Sequence, residues 1–324
     1  MRNLQLEAAI WNLFSSTDFF NGVAQECDDT LTWFGSLAVS KKVSNFGRNN
    51  QIFEKIKQRR NEFRRGAELA ALGDYQLIWG IAGAITGDIR GMLDQPLRSW
   101  MTDAEYDEFF DVRMGSIIRY SESICRALNN TMIGLDYLGN SDSDDSERSD
   151  DDDGFPGAEI AEWYEDFNED ERGKVFCALP NPLPNYAIDR SIACKTGDEV
   201  PWTGVWYPTT GLEFHSLTFA VKGMKMQPVY KVVKTTDELR TPEWMFPPPE
   251  TLAVATVWHP VVPAAHQAEK NEQLWAKAGQ PCPKAGLWQP TDPGVQARKY
   301  EVGDKMLNLG SAQGLTVWLW IADR

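Results

Sequence analysis

The sequence predicts an α+β protein. It reads as a helical N-terminal bundle over residues 1–140, an acidic connector over 141–172 and a β-rich domain over 173–324. The last domain is expected to hold two related, SH3-like small-β-barrel units at about 194–233 and 276–322. Three observations predict this. Apolar side chains recur at helical spacing through the first 140 residues, acidic charge collects in one short stretch, and a Gly-Pro-Trp pattern occurs twice near the C-terminus.

The 324 residues suit two domains at roughly one per 150, and 13 Trp with 15 Phe supply ample core. From Leu4 to about Leu138 the pattern is helical and breaks mostly at Gly and Pro. Between Asn49 and Leu72 the apolar positions Ile52, Phe53, Ile56, Phe63, Leu69 and Leu72 fall at helical spacing. The opposite face carries Lys55, Lys57, Arg59, Arg60, Arg64 and Arg65, which reads as a solvated helix face. A second reading has the downstream acidic run lying across this basic cluster. The apolar stretch Tyr75–Leu93 is closed by Pro96. Thr102 and Glu105 then have capping-box spacing, with Phe109, Val112, Ile117 and Tyr120 as the buried stripe of the next helix.

The formal charge of −15 is unevenly spread. Residues 1–140 carry 15 basic and 18 acidic side chains, residues 173–324 carry 15 and 14, and residues 141–172 carry 2 and 15. Ser141–Gly154 (SDSDDSERSDDDDG) has no apolar residue and reads as a solvated linker. Ala158–Asn168 follows as a short amphipathic helix, with Ile160, Trp163, Tyr164 and Phe167 on its apolar side. Two readings stay open for the segment: a linker and helix serving their own protein, or a docking element for a basic partner. The contact residues of the second reading are Asp144, Asp145, Asp150, Asp151, Asp152, Asp153, Glu159, Glu162, Trp163, Glu165 and Asp166. The acidic balance disfavours direct nucleic-acid binding, which needs a net basic face.

The C-terminal part contains an internal repeat. Residues 197–208 (GDEVPWTGVWYP) match 279–290 (GQPCPKAGLWQP) at a constant offset of 82. Gly197/Gly279, Pro201/Pro283, Gly204/Gly286, Trp206/Trp288 and Pro208/Pro290 coincide. Further on, Phe219–Met226 matches Tyr300–Met306 after one insertion. Each copy reads as a small sheet unit, with Gly at the turn, Trp anchoring a strand and Pro ending its pairing. A helix is expected from about Ala264 to Ala278, and the last strand, Gly314–Ile321, is expected to be covered on both faces. The alternative is one larger β-sandwich with coincidental turns.

Chemistry is sparse. The three histidines are His215, His259 and His266, and the last two lack the adjacent-turn spacing of a zincin. Cys194 and Cys282 stand near the repeats, but Cys282 aligns with Val200, which favours a small apolar filler over a nucleophile. The five cysteines form no CxxC pair, and no P-loop, GxSxG or strand-following GxGxxG is present. The reading is therefore a non-enzyme without cofactor or metal. Only Arg2 precedes the first apolar stretch, and Leu77–Thr86 is about half the roughly 20 residues of a membrane span. A cytoplasmic protein without membrane contact is expected.

Ala278-Gly-Gln-Pro-Cys-Pro-Lys-Ala-Gly-Leu-Trp288, then Ala297–Met306, then Gly314-Leu-Thr-Val-Trp318 carry a resemblance. They are similar to the pattern G-x-x-C-P-x-x-G-x-W … R-x-F/Y-x-x-G-x-x-M-P … G-x-x-x-W of polymorphic-toxin immunity proteins. These are the families numbered seventy-one and seventy-two, associated with Rhs and type VI secretion effectors. Leu307 replaces the proline of the pattern, and Val200 replaces the cysteine in the first copy. The resemblance implies a stoichiometric inhibitor of a cognate secreted antibacterial toxin acting in the cytosol, a nuclease or other basic effector. The alternative class is an adaptor or structural protein whose tandem SH3-like units bind peptides or secretion machinery. A thiol enzyme using Cys194 or Cys282 with a histidine is a third.

Overall fold

Asn3 opens the first helix by accepting hydrogen bonds from the backbone N–H groups of Gln5 and Leu6, at 3.0 and 3.3 Å. This computed structural model describes residues 3–43, 49–93, 96–132, 160, 164, 178–210, 217–234, 236–239, 250–264, 274–292, 294–310 and 314–322. The chain is mixed helix and sheet, as an α+β reading requires. Its contacts group it into two compact units, Met1–Ser15 with Ser123–Gln267 and Ser16–Glu122 with Ala268–Arg324. This grouping differs from the sequence boundaries at 140 and 172, because each unit combines helical segments with one copy of the repeat.

In the first unit, helix α1 (Leu4–Phe14) buries Ala8, Ala9, Ile10, Trp11 and Phe14. Its strands are β1 (Tyr186–Ile188), β2 (Cys194–Lys195), β3 (Gly204–Pro208), β4 (Thr218–Ala220), β5 (Val229–Lys234), β6 (Glu250–Val254) and β7 (Val257–Pro263). They form a sheet ordered β1-β7-β3-β4, with β2 also on β7, and a separate ribbon β5-β6. Helix α1 packs on β1, β3 and β4. The Gln5 amide brackets Tyr186, donating to its carbonyl at 3.0 Å and accepting from its N–H at 2.6 Å.

The second unit contains α2 (Thr17–Ser40), α3 (Asn49–Ala71), α4 (Gln76–Leu93) and α5 (Asp103–Asp107). A π-helical turn (Glu108–Met114) leads into α6 (Gly115–Met132), whose last residues belong to the first unit. The capping box is present: Glu105 N–H donates to the Thr102 hydroxyl, and Thr102 N–H donates to the Glu105 carboxylate. Phe109, Ile117 and Tyr120 are buried as expected, whereas Val112 is half-buried in the π turn. Strands β8 (Trp275–Lys277), β9 (Gly286–Pro290), β10 (Arg298–Tyr300) and β11 (Val317–Ala322) form a sheet ordered β10-β9-β11-β8.

The two sheets repeat one ladder. Strands β2, β3, β4 and β7 of the first correspond to β8, β9, β10 and β11 of the second. Gly197 N–H donates to Met226 at 2.7 Å, and Gly279 N–H to Met306 at 2.8 Å. The returning bonds, Met226 to Asp198 and Met306 to Gln280, are 2.8 and 2.9 Å. Val200 to Met224 matches Cys282 to Asp304, and Gly223 to Val200 matches Gly303 to Cys282. The indoles of Trp258 and Trp318 donate to Gln227 O and Leu307 O, both at 2.9 Å. Positive φ recurs at the paired turn glycines, 87° and 89° at Gly197 and Gly279, 84° and 89° at Gly223 and Gly303. Coincidental turns in one sandwich would not reproduce this bond for bond.

Four expectations need correction. Residues 275–277 are a strand paired with β11, not the end of a helix, because the repeat places Ala276 and Lys277 where Cys194 and Lys195 stand. Residue Tyr300 corresponds to Ala220, not Phe219, since Gly204 pairs with Ala220 and Gly286 with Tyr300. The last strand buries Val317 and Trp318, but Leu315 and Ile321 are about half exposed, at 53 % and 51 %. The fourth, the solvated basic helix, is taken up with the candidate site. The run Pro247-Pro248-Pro249, read from the sequence as the start of a crossing between the two copies, lies outside the described residues.

Candidate functional site

All eleven contact residues named from the sequence, Asp144, Asp145, Asp150–Asp153, Glu159, Glu162, Trp163, Glu165 and Asp166, lie outside the described residues. Two neighbours are described. Ile160 and Tyr164 are helical and buried, the spacing expected for the apolar side of Ala158–Asn168. The Tyr164 hydroxyl accepts from Leu179 N–H at 3.1 Å, and its ring lies 6.3 Å from Phe14.

The basic cluster of α3 is engaged inside its own unit. Arg59 binds Asp88 of α4 at 2.5 Å and Glu62 at 2.8 Å, while Lys55 reaches Asp88 at 3.0 Å. Arg60 and Arg64 both bind Asp28 of α2. Arg65 is 1 % exposed and reaches Glu68, Thr291 and Asp292. The charged face of the helix is therefore tied to its neighbours by ion pairs, with Lys57 paired to Glu54 of its own turn. Lys55, Lys57 and Arg64 still keep 36 %, 45 % and 40 % of their side chains exposed, so the face is paired and partly solvated at once. Sequence spacing shows which face is charged and its i,i+3 partners Glu54, Glu62 and Glu68; the other partners lie 29 or more residues away, so periodicity carries no signal for them.

The thiols and His259 serve packing and strand contacts. Cys282 joins Ala276, Trp288, Tyr300, Met306 and Trp318 in one buried cluster. Cys194 and Val200 occupy the same places beside Trp206, Ala220, Met226 and Trp258. The motif that carries the resemblance is thus the core of the ladder. Burial, with the Asp198 charge adding, raises the Cys194 thiol above its ordinary value, which opposes thiolate formation. His259 Nδ1 sits 2.7 Å from Ile192 O. Among the described residues no cluster of His, Cys, Asp or Glu could hold a metal ion.

Besides β1, the β5-β6 ribbon stands outside this shared architecture. Thirty residues, 227–256, join the β4 turn to β7 in the first unit, where ten, 307–316, suffice in the second. The longer connection builds the β5-β6 ribbon, paired from Val229–Val254 to Lys234–Glu250 with an irregularity between Val232 and Lys234. Its base enters the core through Val229 and Tyr230. Beyond them Lys231 to Lys234 are all exposed, with Val232 at 38 %, Val233 at 47 % and Leu252 at 56 %. A two-stranded ribbon is marginal on its own in water, and this one keeps Val233 and Leu252 about half exposed. Sequence reading missed this site, although the unequal spacing after the matched Met226 and Met306 signals the insertion.

No protein-family model, curated protein or solved structure matches this chain.

Proposed function

We propose that this chain is an immunity protein that neutralises a cognate antibacterial toxin in the cytosol by stoichiometric binding. In this reading the ladders close as SH3-like small barrels, and the β5-β6 ribbon and acidic segment 141–172 face the toxin. The observation that supports it is the ribbon: among the described residues the first copy of the repeat carries a paired extension with Val233 and Leu252 exposed, on a connection three times as long as that of the second copy. The Ala278–Trp318 pattern supports the family reading, and its burial in the core explains why partner choice lies in unrepeated elements. The mechanism is occlusion, with no cofactor, metal, nucleic acid or membrane involved. The ribbon supplies apolar contact, and the acidic segment accelerates capture of a basic toxin.

The test is co-expression with the product of the neighbouring toxin gene, read by growth and by copurification. Rescue with a one-to-one complex is expected. Leu252→Asp is expected to weaken the complex at least about tenfold, the range of an interface hot spot. Reversing Asp151, Asp152 and Asp153 is expected to lower the association rate at low salt more than it raises dissociation. Absence of both rescue and complex overturns the reading. A complex insensitive to Leu252→Asp removes the ribbon from it.

A further inference from the structure

Helix α3 is fastened to the second sheet by one buried charge cluster. Arg65 Nη1 donates to Glu68 Oε2 at 2.7 Å and to Thr291 Oγ1 at 2.6 Å, and Nη2 donates to Asp292 Oδ1 at 2.7 Å. Thr291 Oγ1 donates in turn to Glu68 Oε2 at 2.9 Å. Thr291 and Asp292 directly follow β9, so the contact joins residues more than 220 positions apart. The side chains of Arg65 and Asp292 are 1 % and 8 % exposed, and that of Glu68 is 31 %. Two carboxylates therefore share one guanidinium in a largely dry site. Asp292 Oδ2 is buried and has no hydrogen-bond partner among the described residues. The charges that face Glu68 are Arg65 on its own helix and Asp292 from the sheet.

We propose that Arg65, Glu68, Thr291 and Asp292 form a proton-tightened clamp, in which one proton taken up on Glu68 strengthens the attachment of α3 to the second sheet. One guanidinium balances one carboxylate, so the second leaves an uncompensated charge whose desolvation is costly. Protonating Glu68 removes that charge and its repulsion with Asp292, while Oε2 keeps both of its donors. Burial, the largest influence, pushes the Glu68 carboxyl above its ordinary value of 4.5, and Asp292 pushes the same way; Arg65 and Thr291 oppose them. A raised folded pKa means that the folded chain holds the proton where the unfolded chain has released it. The contribution is complete below the unfolded value and is lost as pH rises through the folded one.

The experiment is a pH titration of the Glu68 side-chain carboxyl carbon by NMR in the full chain, assigned through its own backbone connectivities. A midpoint above that of exposed glutamates is expected, and Asp292→Asn is expected to lower it. Urea unfolding from pH 4.5 to 7.5 gives the second reading. The advantage of Glu68→Gln over the wild type should shrink as pH falls, by about tenfold in the unfolding equilibrium constant per unit of pKa elevation. A Glu68 midpoint at or below that of exposed glutamates, or one unmoved by Asp292→Asn, overturns the proposal.

Discussion

The repeat allows one substitution to be tested against its own internal control. Gly204 and Gly286 open β3 and β9 with φ of 155° and 144°, where an L side chain is strained by about 1–2 kcal/mol. The surroundings of the two differ. A Cβ at Gly286 would meet the Ala322 carbonyl oxygen inside 3.0 Å and Trp320 Nε1 at 2.6 Å. Ala322 is the β11 residue paired with Leu287, so relief requires the central strand pair β9-β11 to separate. A Cβ at Gly204 would instead meet the ring of Trp202, a half-buried side chain rather than the backbone of a paired strand. Adding a typical overpacking cost of about 1–3 kcal/mol, Gly286→Ala should destabilise its unit by about 2–5 kcal/mol. Gly204→Ala should cost about 1–3 kcal/mol in the other unit. Native-state hydrogen exchange reads both at matched amides, Gly279 and Met306 in one ladder, Gly197 and Met226 in the other. Exchange at the first pair should accelerate by about thirtyfold or more in Gly286→Ala. Equal or greater acceleration at the second pair in Gly204→Ala would refute the reasoning, because a side-chain indole would then cost as much as a paired backbone.

Three further outcomes are expected. Trp288 Nε1 donates to Lys284 O at 3.0 Å, whereas Trp206 Nε1 is buried with no partner among the described residues. Trp288→Phe should therefore destabilise by about 1 kcal/mol more than Trp206→Phe in urea unfolding. Burial, with Asp28 adding, pushes the Cys27 thiol up to about 12, so Cys27 should resist alkylation at pH 8 until the chain unfolds, as mass spectrometry of labelled peptides would show. Asp28→Asn removes the carboxylate shared by Arg60 and Arg64, and should lower the thermal midpoint by a few degrees, equivalent to about 1 kcal/mol after allowance for partial exposure.

What the sequence makes legible follows from the range of the forces involved. Helix α3 and the capping box at Thr102 are local, so spacing and cap chemistry suffice to find them. The ladder is legible because it occurs twice, and its glycines and tryptophans keep their places. Strand β8 is not, since Leu274 and Trp275 also fit a helical spacing with Ala265 and Ala268. Extending the 82-residue offset upstream to Cys194–Lys195 would have corrected it. The two-residue slip before Tyr300 is hidden because Val221 and Val302 allow a plausible but wrong match. The fate of the arginines depends on Asp28, Asp88 and Asp292, brought near only by tertiary packing. The acidic contact residues lie outside the described structure, and the ribbon is hard to read because lysine interrupts the apolar pattern of β5 (VYKVVK).

The ribbon also shows what this ladder tolerates. Its fourth strand returns to the same register after a connection of ten residues or of thirty. Loop-closure entropy explains that indifference, since tripling a flexible connection costs only about 1 kcal/mol. The interval between the second methionine and the final tryptophan strand is thus a port: sequence can be grafted there while the fold below remains intact. Residues 307–316 of the second copy hold such a port in its short form, available to a designer who wishes to give this scaffold a second arm.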